Sequence, residues 1–247
     1  MKVLSFKNVS LKYHSEQSET YCLKDISFDV NEGEFVAIVG PSGCGKTTIL
    51  SLISGLLKPE SGEIIRKSEN FSTAYMLQKD QLFPWRTIKK NVTLGLEIKK
   101  IATPENLAFA ESLLDKYDLG EFKSHYPSEL SGGMRQRAAL IRTLVLQPDI
   151  LLLDEPFSAL DSFTKIKVCD DVYSIIKEEK KTAILVTHDI SEAISMSDKI
   201  IVLTDRPASV SLILENKIEG NTPLLRREAD EFRQMFDTIW KELMKYG

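Results

Sequence analysis

The chain has 247 residues, 43% hydrophobic and 28% charged, with a formal net charge of -4 at pH 7. That length allows one large domain with a sizeable core, and the charge excludes an overall attraction to nucleic acid or to anionic lipid. No apolar run reaches the roughly 18 to 20 residues of a membrane span and Met1 to Lys12 lacks a signal-peptide core, so work at a membrane would need another chain as anchor.

Leu4, Phe6 and Val9 predict a strand over 2–9, and Leu23, Ile26, Phe28 and Val30 predict one over 23–30, with a polar turn from His14 to Thr20 between them. Asn31-Glu32-Gly33 turns the chain into Phe35-Val36-Ala37-Ile38-Val39, an apolar run suited to a strand buried on both faces. Gly40-Pro41-Ser42-Gly43-Cys44-Gly45-Lys46-Thr47-Thr48 follows and fits G-x-x-x-x-G-K-[ST]. Ile49, Leu50, Ile53, Leu56 and Leu57 then recur at helical spacing, until Lys58 to Gly62 stops the helix.

Strand, glycine loop and helix together suit a triphosphate. The glycines let backbone N–H groups approach phosphate oxygens, and the helix N-terminus adds a favourable dipole. Lys46 supplies a point charge for the β and γ phosphates, and the Thr47 hydroxyl can hold Mg²⁺. Cys22, Cys44 and Cys169 show no metal-ligand spacing and suit a reduced, cytosolic setting. Alkylation of Cys44 is expected to block nucleotide; no base lies near it in sequence to make it catalytic.

Glu63 to Arg66 and Thr73 to Gln78 read as short strands. From about 79 to 145 the signal is helical: Ile88 to Leu96, then a helix with Thr103 as cap, Pro104 at its first position and Leu107, Ala110, Leu113, Leu114 and Tyr117 on one side, then Gly133 to about Leu146. This segment reads as a helical subdomain inserted into an α/β domain. The alternation resumes with strand Ile150 to Asp154, helix Ser162 to Glu179, strand Ala183 to Thr187, helix Ile190 to Met196 and strands Lys199 to Leu203 and Ser209 to Leu214. Such a pattern predicts a mostly parallel sheet covered by helices, beside an antiparallel N-terminal portion. A final amphipathic helix over about 226–245 sets Phe232, Met235, Phe236, Ile239, Trp240 and Leu243 on one face, for the core, the sheet or a partner.

Ile150 to Asp154 ends in two adjacent carboxylates, Asp154 and Glu155, whose side chains diverge where strand becomes loop. Asp154 can bind Mg²⁺ and Glu155 can poise an attacking water. In Leu130-Ser131-Gly132-Gly133-Met134-Arg135-Gln136-Arg137, Ser131 is placed to cap a helix and two glycines bare its first amides, which makes a second anion-binding helix start. Gln78 could reach Mg²⁺ or water, His188 lies by topology at the sheet edge of Asp154, and Tyr13 could stack on a purine. Taken singly, these three read first as polar surface, a structural histidine and packing near a turn.

Taken together the chain resembles the ATP-binding subunit of an ABC transporter over essentially its whole length. The phosphate loop, the Q-loop glutamine Gln78, the signature Leu130 to Gln136, the pair Asp154-Glu155, the D-loop Ser158-Ala159-Leu160-Asp161 and the switch histidine His188 occur in the family's order, and Tyr13 falls at its adenine-stacking aromatic. The resemblance implies a P-loop NTPase that binds ATP and Mg²⁺ as a head-to-tail homodimer. Each ATP would lie on one subunit's phosphate loop and under Ser131, Gly132, Gly133 and Gln136 of the other, with Asp161 crossing the interface. Glu155 would be the general base, His188 and Lys46 would act on the γ-phosphate, Thr47, Gln78 and Asp154 would serve the metal, and Gln78 would link it to a transmembrane partner.

Leu82-Phe83-Pro84-Trp85-Arg86-Thr87, Asn91-Val92, Tyr126-Pro127-Ser128-Glu129, Phe157 and Arg206-Pro207 are similar to the ATPases of nitrate, sulfonate and taurine importers, whose relatives also carry bicarbonate and thiamine-precursor pyrimidines. That resemblance implies a peripheral subunit on the cytoplasmic face of the membrane, with separate permease subunits and an extracytoplasmic solute-binding protein. Phe83-Pro84-Trp85 would line the groove for a permease helix, or Trp85 would be buried in the helical subdomain. A soluble ABC protein of translation or DNA repair usually carries two cassettes or a coiled-coil insertion, a P-loop kinase or GTPase would not explain Leu130 to Gln136, and an exporter commonly fuses this domain to membrane helices.

Overall fold

The computed structural model describes residues 1–14 and 19–246; the centre of the turn expected over His14 to Thr20, at 15–18, lies outside the described residues. The strands are β1 (Lys2–His14), β2 (Glu19–Asn31), β3 (Phe35–Val39), β4 (Ser61–Arg66), β5 (Thr73–Met76), β6 (Ile150–Asp154), β7 (Thr182–Thr187), β8 (Lys199–Leu203) and β9 (Val210–Glu215). The helices are α1 (Lys46–Ile53), α2 (Ile88–Val92), α3 (Leu94–Ile98), α4 (Pro104–Lys116), α5 (Gly132–Leu144), α6 (Ser162–Glu178), α7 (Ile190–Met196), α8 (Pro223–Arg227) and α9 (Asp230–Leu243).

One sheet has the order β2-β1-β4 and is antiparallel. The other has the order β5-β6-β7-β3-β8-β9 and is parallel except at β9, which pairs with β8 antiparallel. The expected α/β P-loop architecture, mostly parallel with an antiparallel N-terminal portion, is the one observed. Every residue of β3, β7 and β8 is buried, as strands covered on both faces require.

Side-chain alternation sorts the core into two layers. Val36, Ile38, Ile184 and Val186 face α1 and the antiparallel sheet. On the other face Leu151, Leu153, Ala183 and Leu185 meet helices α2 to α6, while Ala37 and Val39 meet α7 and α9. Helix α1 is therefore clamped between two sheets, which fixes the loop that starts it.

Several boundaries differ from the sequence reading. Strands β1 and β2 run longer than 2–9 and 23–30; among the described residues of the added parts only Ser10, Leu11 and Cys22 are buried, too few to carry an apolar strand pattern. Helix α1 ends at Ile53, well before Lys58: Gly55 takes φ +79, the Leu57 N–H bonds back to the Ser51 carbonyl (3.1 Å), and Leu56 is left 76% exposed. Strand β5 stops at Met76, so Gln78 lies in the loop beyond it. The helix expected over Ile88 to Leu96 is broken at Thr93 into α2 and α3.

The C-terminal helix is also two. Thr222 caps α8, and Arg226 is buried under it with Nη1 on the carbonyls of Ser195 (3.4 Å) and Ser197 (3.1 Å), before the chain restarts as α9. Of the six residues on the apolar face of α9, Ile239 is buried, while Phe232, Met235, Phe236 and Leu243 are partly buried against the core. Trp240 is half exposed and stacks on Phe236.

Candidate nucleotide site

The parallel register sets the chemistry at one sheet edge. Val39 pairs with Thr187 and Asp154 with Val186, so the phosphate loop, Asp154-Glu155 and His188 all leave the sheet side by side, with β7 between the other two strands. Ligand sites of open α/β sheets sit at this carboxyl edge.

The loop itself is built for close approach. Gly45 has φ +127, and a Cβ there would stand 2.8 Å from Leu23 Cδ2, so neither its backbone nor its surroundings admit a side chain. Lys46 is buried, and its Nζ donates to the carbonyls of Gly40 (2.9 Å) and Pro41 (2.8 Å). Ser42, Gly43, Gly45, Lys46, Thr47, Thr48, Glu155 and Arg206 line a cavity of about 220 Å³ over the loop. Tyr13, 44% exposed on β1, places its hydroxyl 3.1 Å from Thr48 Oγ1 at the loop's side. The Cys44 side chain is buried within the loop, and burial pushes its thiol up, which slows any alkylation there.

Thr47 Oγ1 donates to Asp154 Oδ1 at 3.2 Å, and Tyr75 OH donates to Asp154 Oδ2 at 2.9 Å. Burial pushes the Asp154 carboxyl up, and these two hydroxyls oppose that. Burial and the neighbouring Asp154 also hold the Tyr75 phenol protonated, as a donor. A hydroxyl and a carboxylate in contact fit Mg²⁺, which takes one or two protein oxygens and fills its octahedron with phosphate and water.

Glu155 adopts φ +46, an uncommon conformation for a residue with a side chain, while its N–H still bonds the Val186 carbonyl at 2.9 Å. Its Oε2 lies 3.1 Å from His188 Nδ1, and His188 is 60% exposed. Gln78 does not reach the metal pair. Its Nε2 donates to Ser158 Oγ (3.1 Å), which in turn donates to the Glu155 carbonyl (3.0 Å). The Gln78 loop is fastened to α5, since Arg135 Nε bonds Asp80 Oδ2 (3.0 Å) and Arg142 bonds the carbonyls of Asp80 and Gln81 (2.7 Å each).

The second anion-binding helix start lies apart. Ser131 caps α5 by accepting the Met134 N–H at 3.3 Å, and a cavity of about 210 Å³ is bounded by Ser131, Gly132, Gly133, Phe163 and Lys167. Gln136 is 4% exposed and its Oε1 accepts no hydrogen bond, so any contact with a second molecule requires it to move. Asp161 accepts the Thr164 N–H (3.0 Å) as the cap of α6.

Two participants escaped sequence reasoning. Tyr75 reaches Asp154 only through the β5–β6 pairing, and Arg206 Nη2 reaches the Gly43 carbonyl (2.9 Å) from 163 residues away. A larger cavity of about 580 Å³, lined by Lys12, Tyr21, Asp25 and Glu60 on the antiparallel sheet, contains none of the groups described above.

Fold and site define a P-loop NTPase. The family model for ABC transporters matches residues 23–158. The chain is 45% identical, over 98% of its length and 96% of the relative's, to YtlC of Bacillus subtilis (strain 168), named an uncharacterized ABC transporter ATP-binding protein. It is 38% identical, over 87% of its length and 86% of the relative's, to an aliphatic sulfonates import ATP-binding protein, SsuB of Bacillus cereus. Among solved structures, a dimeric ATP-binding cassette in a post-hydrolysis state with ADP and Pi superposes with a TM-score of 0.71 at 33% identity, covering 87% of this chain and 99% of that one. The chain belongs to the ABC transporter family, as its ATP-binding and ATP-hydrolysing cassette.

Proposed function

We propose that two copies of this chain pair head to tail around two ATP molecules and drive solute import through separate membrane subunits. The observation that carries the reading is the Glu155–His188 pair, 3.1 Å apart, over a phosphate loop that contains the buried Lys46. Lys46 exchanges the carbonyls of Gly40 and Pro41 for phosphate oxygens, and the loop amides and Arg206 add donors. Thr47 and Asp154 would hold Mg²⁺, which when bound would neutralise charge on the transferred phosphoryl group. Glu155 accepts the proton of the attacking water. His188 meets Glu155 at Nδ1, and with both ring nitrogens protonated its Nε2–H would donate to the γ-phosphate. Tyr13 provides the aromatic face for adenine.

The donors missing on the open side of this site come from Ser131, Gly132 and Gly133 of a second copy. A dimeric relative with ADP and Pi supports that pairing. Among the described residues no helix is long and apolar enough to cross a membrane. As a cassette of this family the chain would sit peripherally on the cytoplasmic face, attached to permease chains. Trp85 is 70% exposed, 5.0 Å from the Phe83 ring. Asn91, fully buried, holds that loop by accepting the Phe83 N–H (2.7 Å) and donating to the carbonyls of Phe83, Arg86 and Thr87. A fixed aromatic pair on the surface suits a permease helix. Relatives named for aliphatic sulfonate import put small sulfonate-type solutes first, with nitrate and taurine beside them, delivered by an extracytoplasmic binding protein.

Glu155→Gln tests the reading. It should keep ATP binding, accumulate an ATP-bound dimer in light scattering and lower turnover by about 10²- to 10⁴-fold, the weight of a general base. Turnover at the unaltered rate would overturn it.

A further inference from the structure

The turn that carries His188 is held by a part-buried ionic cluster, with Glu192 at its buried end, that has no task in ATP hydrolysis as proposed. The Thr187 hydroxyl donates to Glu192 Oε2 (2.5 Å) and accepts the Asp189 N–H (3.0 Å), so the chain is clasped on both sides of His188. Glu192 is 2% exposed, and its Oε1 lies 2.5 Å from Lys165 Nζ. The same ammonium reaches Asp189 Oδ2 at 2.8 Å, while Asp189 Oδ1 caps α7 by accepting the N–H groups of Ser191 and Glu192.

Lys165 comes from another element. It lies on α6, where its own N–H bonds the carbonyl of Asp161 at 2.9 Å, one helical turn from the residue that caps that helix. Upstream of Asp161, Ser158 bonds the Glu155 carbonyl and accepts the Gln78 amide. The cluster therefore joins α6, the end of β7 and α7, and both of its outlets lead to the nucleotide site. Stability alone is a poor reason for it, since a buried ion pair commonly does no better than apolar side chains of the same volume. What ions and a clasped hydroxyl supply is a defined geometry.

We infer that Lys165 is a positioning residue: through Glu192, Asp189 and Thr187 it ties the turn Ser158 to Asp161 to His188, so that placement of Asp161 sets placement of the imidazole. The inference rests on the role proposed for His188. A second subunit that displaces Asp161 thereby moves the switch histidine of the first, without touching it.

The test reads the histidine directly. The chain has 3 histidines, so ¹⁵N-detected imidazole spectra of the full chain resolve His188, with His125 as internal control. In Lys165→Met the His188 ring signals should move while those of His125 stay, and in Lys165→Arg they should return toward the original positions. The ATPase kcat of Lys165→Met should fall about 10- to 100-fold, the effect of a small misplacement, with KM changed less than about threefold. Added to His188→Ala, Lys165→Met should lower kcat no further. If Lys165→Met fails to fold, Lys165→Met with Glu192→Gln leaves no buried carboxylate uncompensated and should displace the same signals. Unmoved His188 signals in either folded variant, or losses that multiply with His188→Ala, would overturn the inference. An unaltered chain that hydrolyses no ATP would sink the ATPase reading instead, and the spectra would still decide the tie.

Discussion

The phosphate-loop region and the α5 N-terminus both offer backbone amides to an anion, yet they are built on opposite plans. Around the loop, three strand ends bring Lys46, Asp154, Glu155 and His188 to one sheet edge, where Thr47 bonds Asp154 and Glu155 meets His188. Around α5 there is a capping serine, two glycines and an open cavity, and the two cavities share no lining residue. One region sets a carboxylate and an imidazole over the loop, while the other offers backbone amides and a serine at a helix start, with Arg137, Lys167 and Asp171 around the cavity. In the proposed pairing each region is half of a site, and a second copy brings donors to the chemistry.

The largest effect expected on this contrast is the loss of turnover in Glu155→Gln, which removes chemistry while leaving both sets of donors in place. Gly132→Ala probes the other side. A Cβ at Gly133 would sit 2.9 Å from Val168 Cγ2, so packing on α6 explains that glycine. At Gly132 the nearest atom is Leu160 Cδ2 at 3.4 Å, an ordinary contact, so nothing within the chain requires a glycine there. Gly132→Ala should keep or raise the melting temperature, because Ala favours a helix over Gly by up to about 1 kcal/mol. It should nevertheless lower ATPase activity about 10- to 100-fold by intruding on the bound nucleotide. A loss of melting temperature with unchanged activity would make Gly132 a packing residue.

A smaller effect sharpens the loop side. The Tyr75 hydroxyl lowers the pKa of Asp154 against the burial that raises it. Tyr75→Phe removes the lowering contact, so the Asp154 pKa rises and protonation begins at higher pH. As only the carboxylate holds Mg²⁺, the acid limb of the ATPase pH profile should shift upward. An unmoved acid limb would separate Asp154 from the metal.

How much of this was legible in the sequence follows the same division. The loop, the acid pair and His188 lie at ends of apolar strands, which made their positions legible, while His188 drew its role only from the other motifs. Parallel pairing then brings them together without further information. Tyr75, and the contact of Arg206 with the phosphate loop, were invisible because they depend on strand neighbours and on a loop 163 residues from its partner. The tie from Lys165 to Glu192 was hidden for a similar reason, since no periodicity in α6 shows which helix lies against it. Where local signals competed, the reading slipped: Leu56 and Leu57 keep helical spacing, but Gly55 at φ +79 had already turned the chain. Gln78 was legible as a polar residue near a strand end, while its partner Ser158 was set by tertiary placement.

Head-to-tail completion of the site is tested most directly by mixed dimers carrying Lys46→Ala and Ser131→Arg, assayed for ATP retained per dimer. With both changes on one chain and none on its partner, each site contains one damaged half, and retained ATP should be nearly absent. With one change on each chain, both defects fall in the same site and the other stays whole, so about half of the retention of the unaltered dimer should survive, by simple counting of independent half-sites. Equal retention in the two arrangements would contradict the account.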